Sequence, residues 1–241
     1  MGARRLDHVV IAVRDLAAAM DSYRALGFDV RAGGRHTGRG SHNAIVRFRL
    51  DYLELISVYD EAEARSAGRG ELLEFLAARE GAAAFALATE DIDAEAARIR
   101  AGGLEVIGPF AMERLRPDGS RLSWRLAIPG DGSYGRPWPF FIQWDQPDAE
   151  RLARDGGGAH PNGARGIRSV AVGVTDLAAA RGLYADVLGL EPVGEDTFAA
   201  GPATLSLARA AADGPIGITL AAAATRALDA AVARTPIRLE A

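Results

Sequence analysis

Three histidines and one glutamate have the side-chain chemistry and the spacing to form a site. They are His8 in LDHVVIAV, His36 and His42, six residues apart in GGRHTGRGSHN, and Glu54 in YLELISV. Imidazole titrates near neutral pH and ligates divalent metals, while a carboxylate can serve as base or ligand. Neither cysteine nor lysine occurs in the 241 residues. Disulfides, thiolate nucleophiles, iron–sulfur clusters, cysteine-bound zinc, Schiff-base chemistry and a phosphate-loop lysine are therefore excluded.

Charge narrows the partners. The formal net charge is −4, with acids and bases interspersed and no basic run, so the electrostatic footprint of a nucleic-acid binder is missing. Small molecules are the expected partners. No stretch approaches the roughly 18 to 20 apolar residues of a membrane span, and MGARRLDHVV lacks a small-residue cleavage site, so a cytoplasmic protein is expected.

The elements that must position these side chains are set out by internal repetition. VVIAVRDLAAAMDSY from Val9 returns as VAVGVTDLAAARGLY from Val170, and more weakly as FALATEDIDAEAARI from Phe85. Each copy begins with a strand-length run, then places Asp15, Asp91 or Asp176 where a helix N-cap belongs. A helix of 10 to 12 residues is expected next, stopped by glycine at Gly27, Gly102–Gly103 or Gly189.

After its helix, copy one continues FDVRAGG, SHNAIVRFRL and YLELISV, and copy two LEVIGPF, SRLSWRLAIP and PFFIQWD, so both read as βαβββ. Copy three offers LEPVG, ATLSLA and IGITLAA, then a helix-like TRALDAAVAR, and reads as degenerate. ELLEFLAARE reads as a bridging helix. The glycine- and proline-rich PDAERLARDGGGAHPNGARG marks the expected boundary, with residues 1–155 holding units at about 5–59 and 82–146, and residues 156–241 holding the third unit.

Tandem βαβββ units with a histidine in the first strand and a glutamate in the fourth resemble the vicinal oxygen chelate superfamily, which includes glyoxalase I, extradiol dioxygenases and bleomycin-resistance proteins. The runs LDHVVIAVRDL, GGRHTGRGSHNAIVRF, YLELI, PFFIQWD and HPNGA are more narrowly similar to its glyoxalase-like domain subgroup, over roughly residues 5–165. The resemblance implies an α+β fold in which two units face each other and their curved mixed sheets form a cup. It also implies a divalent metal held by first- and fourth-strand side chains of both units.

Unit one would supply His8 and Glu54 to that cup. Aligned on the two aspartates, His8 falls on Ala84 in unit two, and Glu54 falls on Gln143 within a residue. Two strong ligands suit Fe, Ni, Mn or Zn chemically but make a poor site, because catalytic metals commonly have three protein ligands. His42 is the candidate third: a three-residue connection to YLELISV would turn His42 inward, a two-residue connection Asn43. The reading without a metal makes His8 and Glu54 a hydrogen-bonded polar floor, with His36 as a turn residue or a lid contact. Tyr52 shares the face of Glu54, and Phe141 that of Gln143, so these are expected to join Asn43 in binding a ligand.

Three uses of this cup stay open: a metal-dependent lyase, isomerase or dioxygenase; a metal-free binding or sequestration protein; and a metal-free enzyme with Glu54 as a base raised in pKa by an apolar cup. Trp124, Trp138 and Trp144 cluster near Phe140 and Phe141 as core or cup wall. GDGSYG matches a dinucleotide-binding glycine pattern but RPWPF follows instead of a helix, so it is a loop, perched over the cup, and no nucleotide is expected. Arg47 and Arg49 share the face of Asn43 and would favour a carboxylate or phosphate if that face lines the cup. Unit three carries Ser169 in place of His8 and is expected to pack on the other two or to pair with a second chain as a homodimer.

Overall fold

The structure is a computed structural model describing residues 4–68 and 70–241. Unit one is β1 (Arg5–Ala12), α1 (Leu16–Ala25), β2 (Arg31–His36), β3 (Ser41–Arg47) and β4 (Tyr52–Val58). Two helices, α2 (Glu61–Ser66) and α3 (Gly70–Ala78), bridge to unit two: β5 (Gly81–Ala88), α4 (Ile92–Ala101), β6 (Val106–Leu115), β7 (Arg121–Pro129) and β8 (Phe140–Trp144). Each unit starts its helix as expected, with Asp15 accepting from the Ala18 N–H at 3.0 Å and Asp91 from that of Ala94 at 2.9 Å. These bonds satisfy amides that a first helical turn leaves without partners.

The eight strands close into a barrel in the order β1-β4-β3-β2-β6-β7-β8-β5. Within each unit the last strand returns parallel to the first, and the units join through antiparallel β1–β5 and β2–β6. Every strand thus has one face toward the barrel interior. Helices α1 and α4 pack the outside, burying Leu16, Ala19 and Tyr23, and Ile92, Ala96 and Ile99, against outward residues such as Val9, Ile11, Phe85, Leu87 and Phe141.

Helix α5 (Asp148–Asp155) and a glycine-rich segment lead to a second, open sheet. Its elements are β9 (Gly166–Val174), α6 (Leu177–Gly182) continued by a π-helical turn (Leu183–Val187), β10 (Pro192–Gly194), β11 (Thr197–Ala200), β12 (Ala203–Arg209), β13 (Gly214–Ala221), β14 (Arg226–Ala227), α7 (Ala230–Ala233) and β15 (Ile237–Glu240). One apolar core runs from the outer face of the barrel through Val170, Val172, Tyr184, Leu205 and Ile218 of this sheet. The Tyr23 hydroxyl donates to the Ala233 carbonyl at 2.8 Å and that of Tyr184 to Pro137 at 2.6 Å, so buried phenols pin the halves together.

The third unit differs in detail from its sequence reading. IGITLAA is not its last strand: β12 returns parallel to β9, Ser169 opposite Thr204, and β13 runs antiparallel to β9 as β5 does to β1. The tight turn at Glu195–Asp196 separates β11 from β10, so three strands follow α6 and β13 opens a fourth, trimmed unit. TRALDAAVAR holds only the four-residue α7, because Arg234 adopts a left-handed conformation (φ 60°) and β14 claims the residues before it. By the β1–β4 register, His8 and Glu54 correspond here to Ser169 and Ser206, so no ligand set recurs.

Candidate functional site

The inner wall of the barrel carries a cup of ≈ 70 Å³, counted as space open to the centre of a water molecule. His8 and Val10 enter it from β1 and Tyr52, Glu54 and Ile56 from β4. Opposite them stand Ala84, Trp124, Leu126, Phe140, Ile142 and Trp144. A few converging polar groups against an apolar and aromatic wall are the usual makeup of a small-molecule site.

Glu54 is the polar centre. His8 Nε2 lies 3.5 Å from one carboxylate oxygen, and His36 Nε2 lies 3.7 Å from the other. The Asn43 amide donates to that second oxygen. Burial would push the Glu54 carboxyl up, but the two imidazoles, the Asn43 bond and Arg114 outweigh it, and the group is held below the usual glutamate range. The expectation of a raised pKa is therefore corrected: the cup is apolar on one side only, and the other side stabilises the anion.

Each imidazole is steered from behind. Asp7 accepts from His8 Nδ1 at 2.8 Å, which puts the proton of a neutral ring on Nδ1 and leaves Nε2 facing Glu54. His36 Nδ1 lies 3.0 Å from the Ser41 hydroxyl. Tyr52 stacks on His8, ring centroids 4.6 Å apart, and Phe140 meets it edge-on at 5.4 Å. Asp7 is wholly buried and also takes the Trp144 indole N–H at 3.1 Å, Arg5 at 3.1 Å and Arg151 at 3.7 Å. Burial opposes its charge, yet the His8 bond and the two arginines hold it well below the carboxylate range.

His8, Glu54, Tyr52 and Asn43 are thus brought together, with Asn43 gripping Glu54 from the strand beside it rather than lining the cavity. His42 is not brought in. The register Asn43 opposite Ile56 and Phe48 bonded to Asp51 leaves a two-residue connection at Arg49–Leu50, which turns Asn43 inward and His42 out against Tyr59. Burial and Arg35 lower its pKa there. Replacing His42 with alanine is expected to change stability by no more than about 0.5 kcal/mol and to leave ligand binding untouched, as a denaturant titration and a binding isotherm would report.

Phe141 and Gln143 also face away. Val10 pairs with Glu54, and its equivalent Ala86 pairs with Phe140, so the true counterpart of Glu54 is Phe140 rather than Gln143. Alternation then sends Phe140, Ile142 and Trp144 inward, buries Phe141 in the outer core and leaves Gln143 beside α4. There Gln143 accepts from the Ile92 amide at 3.1 Å and donates to the Glu90 carbonyl at 2.8 Å. Gln143→Ala is expected to cost about 1 kcal/mol in chemical denaturation, with no change in what the cup binds.

Asp7 and Arg114 are site residues that sequence reasoning missed, and His36, expected as a turn residue or lid contact, joins them beside Glu54. His36 is the last residue of β2, and the glycines before it allow the approach: a Cβ on Gly33 would overlap Asn43 Oδ1, and one on Gly34 the Leu115 carbonyl. Asp7 reaches His8 because the β1–β5 pairing slips between Leu6 and His8. Arg114 follows from the alternation of Met112 and Arg114 in AMERLR, both of which face the cup. The GDGSYG loop contributes Gly132 and Tyr134 to the lining.

The superfamily's metal arrangement does not fit these residues. Its unit-two positions hold Ala84 and Phe140, which have no donor atom. Among the described residues no three His, Asp or Glu side chains are grouped to share one ion. His8 and His36 address different oxygens of a carboxylate that is already bonded to Asn43.

Comparison with known proteins agrees with the topology. The glyoxalase-like domain model matches residues 6–188. No curated protein matches. A hypothetical protein from Staphylococcus aureus superposes with a TM-score of 0.81 at 16% identity, covering 98% of this chain and 99% of its own. A xylose isomerase-like TIM barrel/4-hydroxyphenylpyruvate dioxygenase fusion protein gives 0.58 at 16% identity over 92% of this chain, which spans 37% of the fusion. Streptomyces coelicolor methylmalonyl-CoA epimerase gives 0.42 at 24% identity over 61% of this chain and 100% of its own. With a match that runs from the first strand of the barrel into the third repeat, the chain belongs to the glyoxalase-like domain family.

Proposed function

We propose that the cup binds a small, largely apolar carbonyl compound and that Glu54 is the base of a metal-free proton transfer on it. The observation that carries this reading is the Glu54 carboxylate itself: 8% exposed, kept ionised, and aimed by His8, His36 and Asn43 at an apolar wall. A hydrogen next to a carbonyl is acidic enough for a desolvated carboxylate to remove. Glu54 takes that proton, His36, whose Nδ1 lies beside the Ser41 hydroxyl, offers the Nε2 N–H to the oxygen on which charge develops, and return of the proton to carbon completes an isomerisation or epimerisation.

The test uses a panel of small ketones, 2-oxo acids and their esters in D2O, with the protein added and the α-proton signal followed by NMR. Enzyme-dependent loss of that signal, absent with Glu54→Gln, supports the reading. A probe that binds without exchange would leave the cup a binding site only. Protein purified without chelator that retains one divalent ion per chain, with exchange abolished when the ion is stripped, would transfer the chemistry to a metal and overturn the metal-free assignment.

A further inference from the structure

The opposite end of the barrel holds a second cavity of ≈ 280 Å³. Strand β3 joins the two: it begins at Ser41 in the wall of the cup and ends at Arg47 in the wall of this basin. Five guanidiniums line it, from Arg31, Arg47, Arg114, Arg116 and Arg154, against the carboxylates of Asp118 and Asp155.

The ion pairing within the basin is incomplete. Asp155 serves three arginines at once, with Arg116 Nη2 at 2.6 Å, Arg154 Nε at 3.5 Å and Arg47 Nη2 at 3.9 Å. Asp118, at the rim, spends one oxygen on the Ser120 amide and hydroxyl, at 2.9 and 2.6 Å. Arg31 is held by Asp29 at 2.7 Å. Arg47 lies over Tyr52 at 4.7 Å and gives one bond, of 3.3 Å, to the Arg49 carbonyl. Arg114 is 4% exposed and Arg47 9%. The Nε atoms of Arg114 and Arg116 are buried without a hydrogen-bond partner, as is Asp155 Oδ2.

A network built only to hold the fold would match its charges, because a buried charge without a counter-ion is costly. Here buried guanidiniums outnumber their carboxylates and repel one another, with Arg47 and Arg116 both acting against Arg114. We infer that this basin is a binding site for a small oxyanion, a carboxylate or phosphate group, gripped by Arg47, Arg114 and Arg116. The planar guanidinium offers the paired N–H groups that such an anion accepts. Arg114 lines both cavities, so the anion site adjoins the cup through one side chain, whose charge also acts on Glu54.

Isothermal titration of the intact protein at low ionic strength, with inorganic phosphate in one arm and malonate in the other, tests the assignment. Saturable binding at one anion per chain is expected, and the tighter arm identifies the preferred group. Arg116→Gln is expected to weaken binding about tenfold or more. Arg31→Gln, at the exposed rim, leaves the barrel folded and is expected to weaken binding a few-fold. Anions also stabilise proteins generally. Heat or thermal shifts that are non-saturable, or identical in wild type and both arginine variants, would overturn the site.

Discussion

Replacing Asp7 with alanine is expected to lower the unfolding free energy by about 3–5 kcal/mol, the largest single loss anticipated from a polar position. The carboxylate is fully buried and is the counter-charge of Arg151, itself 1% exposed, as well as the partner of Arg5, His8 and Trp144. Removing it leaves the buried Arg151 guanidinium with only the half-exposed Asp148, at 3.0 Å, as counter-charge and frees the His8 ring to turn away from Glu54. Asp7→Asn keeps the shape and removes the charge, and is expected to lose a large part of the same energy. Urea denaturation at neutral pH checks both, and a loss below about 1 kcal/mol would rule out this hub.

The same carboxylate sets a direction for pH dependence. Its folded pKa lies below the ordinary value of 3.8, so its contribution is fully present above that value and is lost as pH falls through the lower folded value. Glu54, also lowered from 4.5, acts in the same sense. Stability is expected to hold from neutral pH to the upper edge of the carboxylate range and to fall below it, with Asp7→Asn flattening the decline.

Exchange catalysed in the cup is expected to drop by about 10²–10⁴ in Glu54→Gln, with the fold kept because the amide holds the volume of the acid and only the contribution of the charge lost. The lowered pKa adds a sharper expectation. Glu54 stays ionised down to and below the ordinary glutamate range, so its acid limb in the rate profile lies there and not near neutrality. A base limb rising near pH 6 to 7 and surviving in Glu54→Gln would assign the proton to another group. If the variant binds a probe as tightly as wild type and loses only exchange, Glu54 acts on the proton rather than on affinity.

Much of the architecture was legible because it rests on local rules repeated along the chain. Asp15, Asp91 and Asp176 cap their helices, and the strands that precede them carry the period of two that places His8 on the face opposite Val9 and Ile11. The pairing of His8 with Glu54 was implied by the family resemblance, and the parallel return of β4 beside β1 brings it about. Beyond strand alternation, however, the identity of the inward face in β8 could not be read. Phe140-Ile142-Trp144 and Phe141-Gln143 are both plausible as core, and only closure of the barrel chose the first set.

The sequence by itself determined the repeated βαβββ units, the helix starts, the strand faces that His8 and Glu54 each share with their neighbours and the absence of thiol and amine chemistry, since each depends on residue type and on periods of 2 and 3.6. Tertiary structure alone decided that Asn43 rather than His42 turns inward, that His36 and Asp7 join the site, and that arginines from β3, β6 and α5 converge on one basin. A two-residue turn sets the face of every residue in β3, a single bulge re-aims Asp7, and a closed ring brings residues 31, 47, 114 and 154 together. Register, bulge and closure are energies of pairing between distant strands, and no local pattern in the chain encodes them.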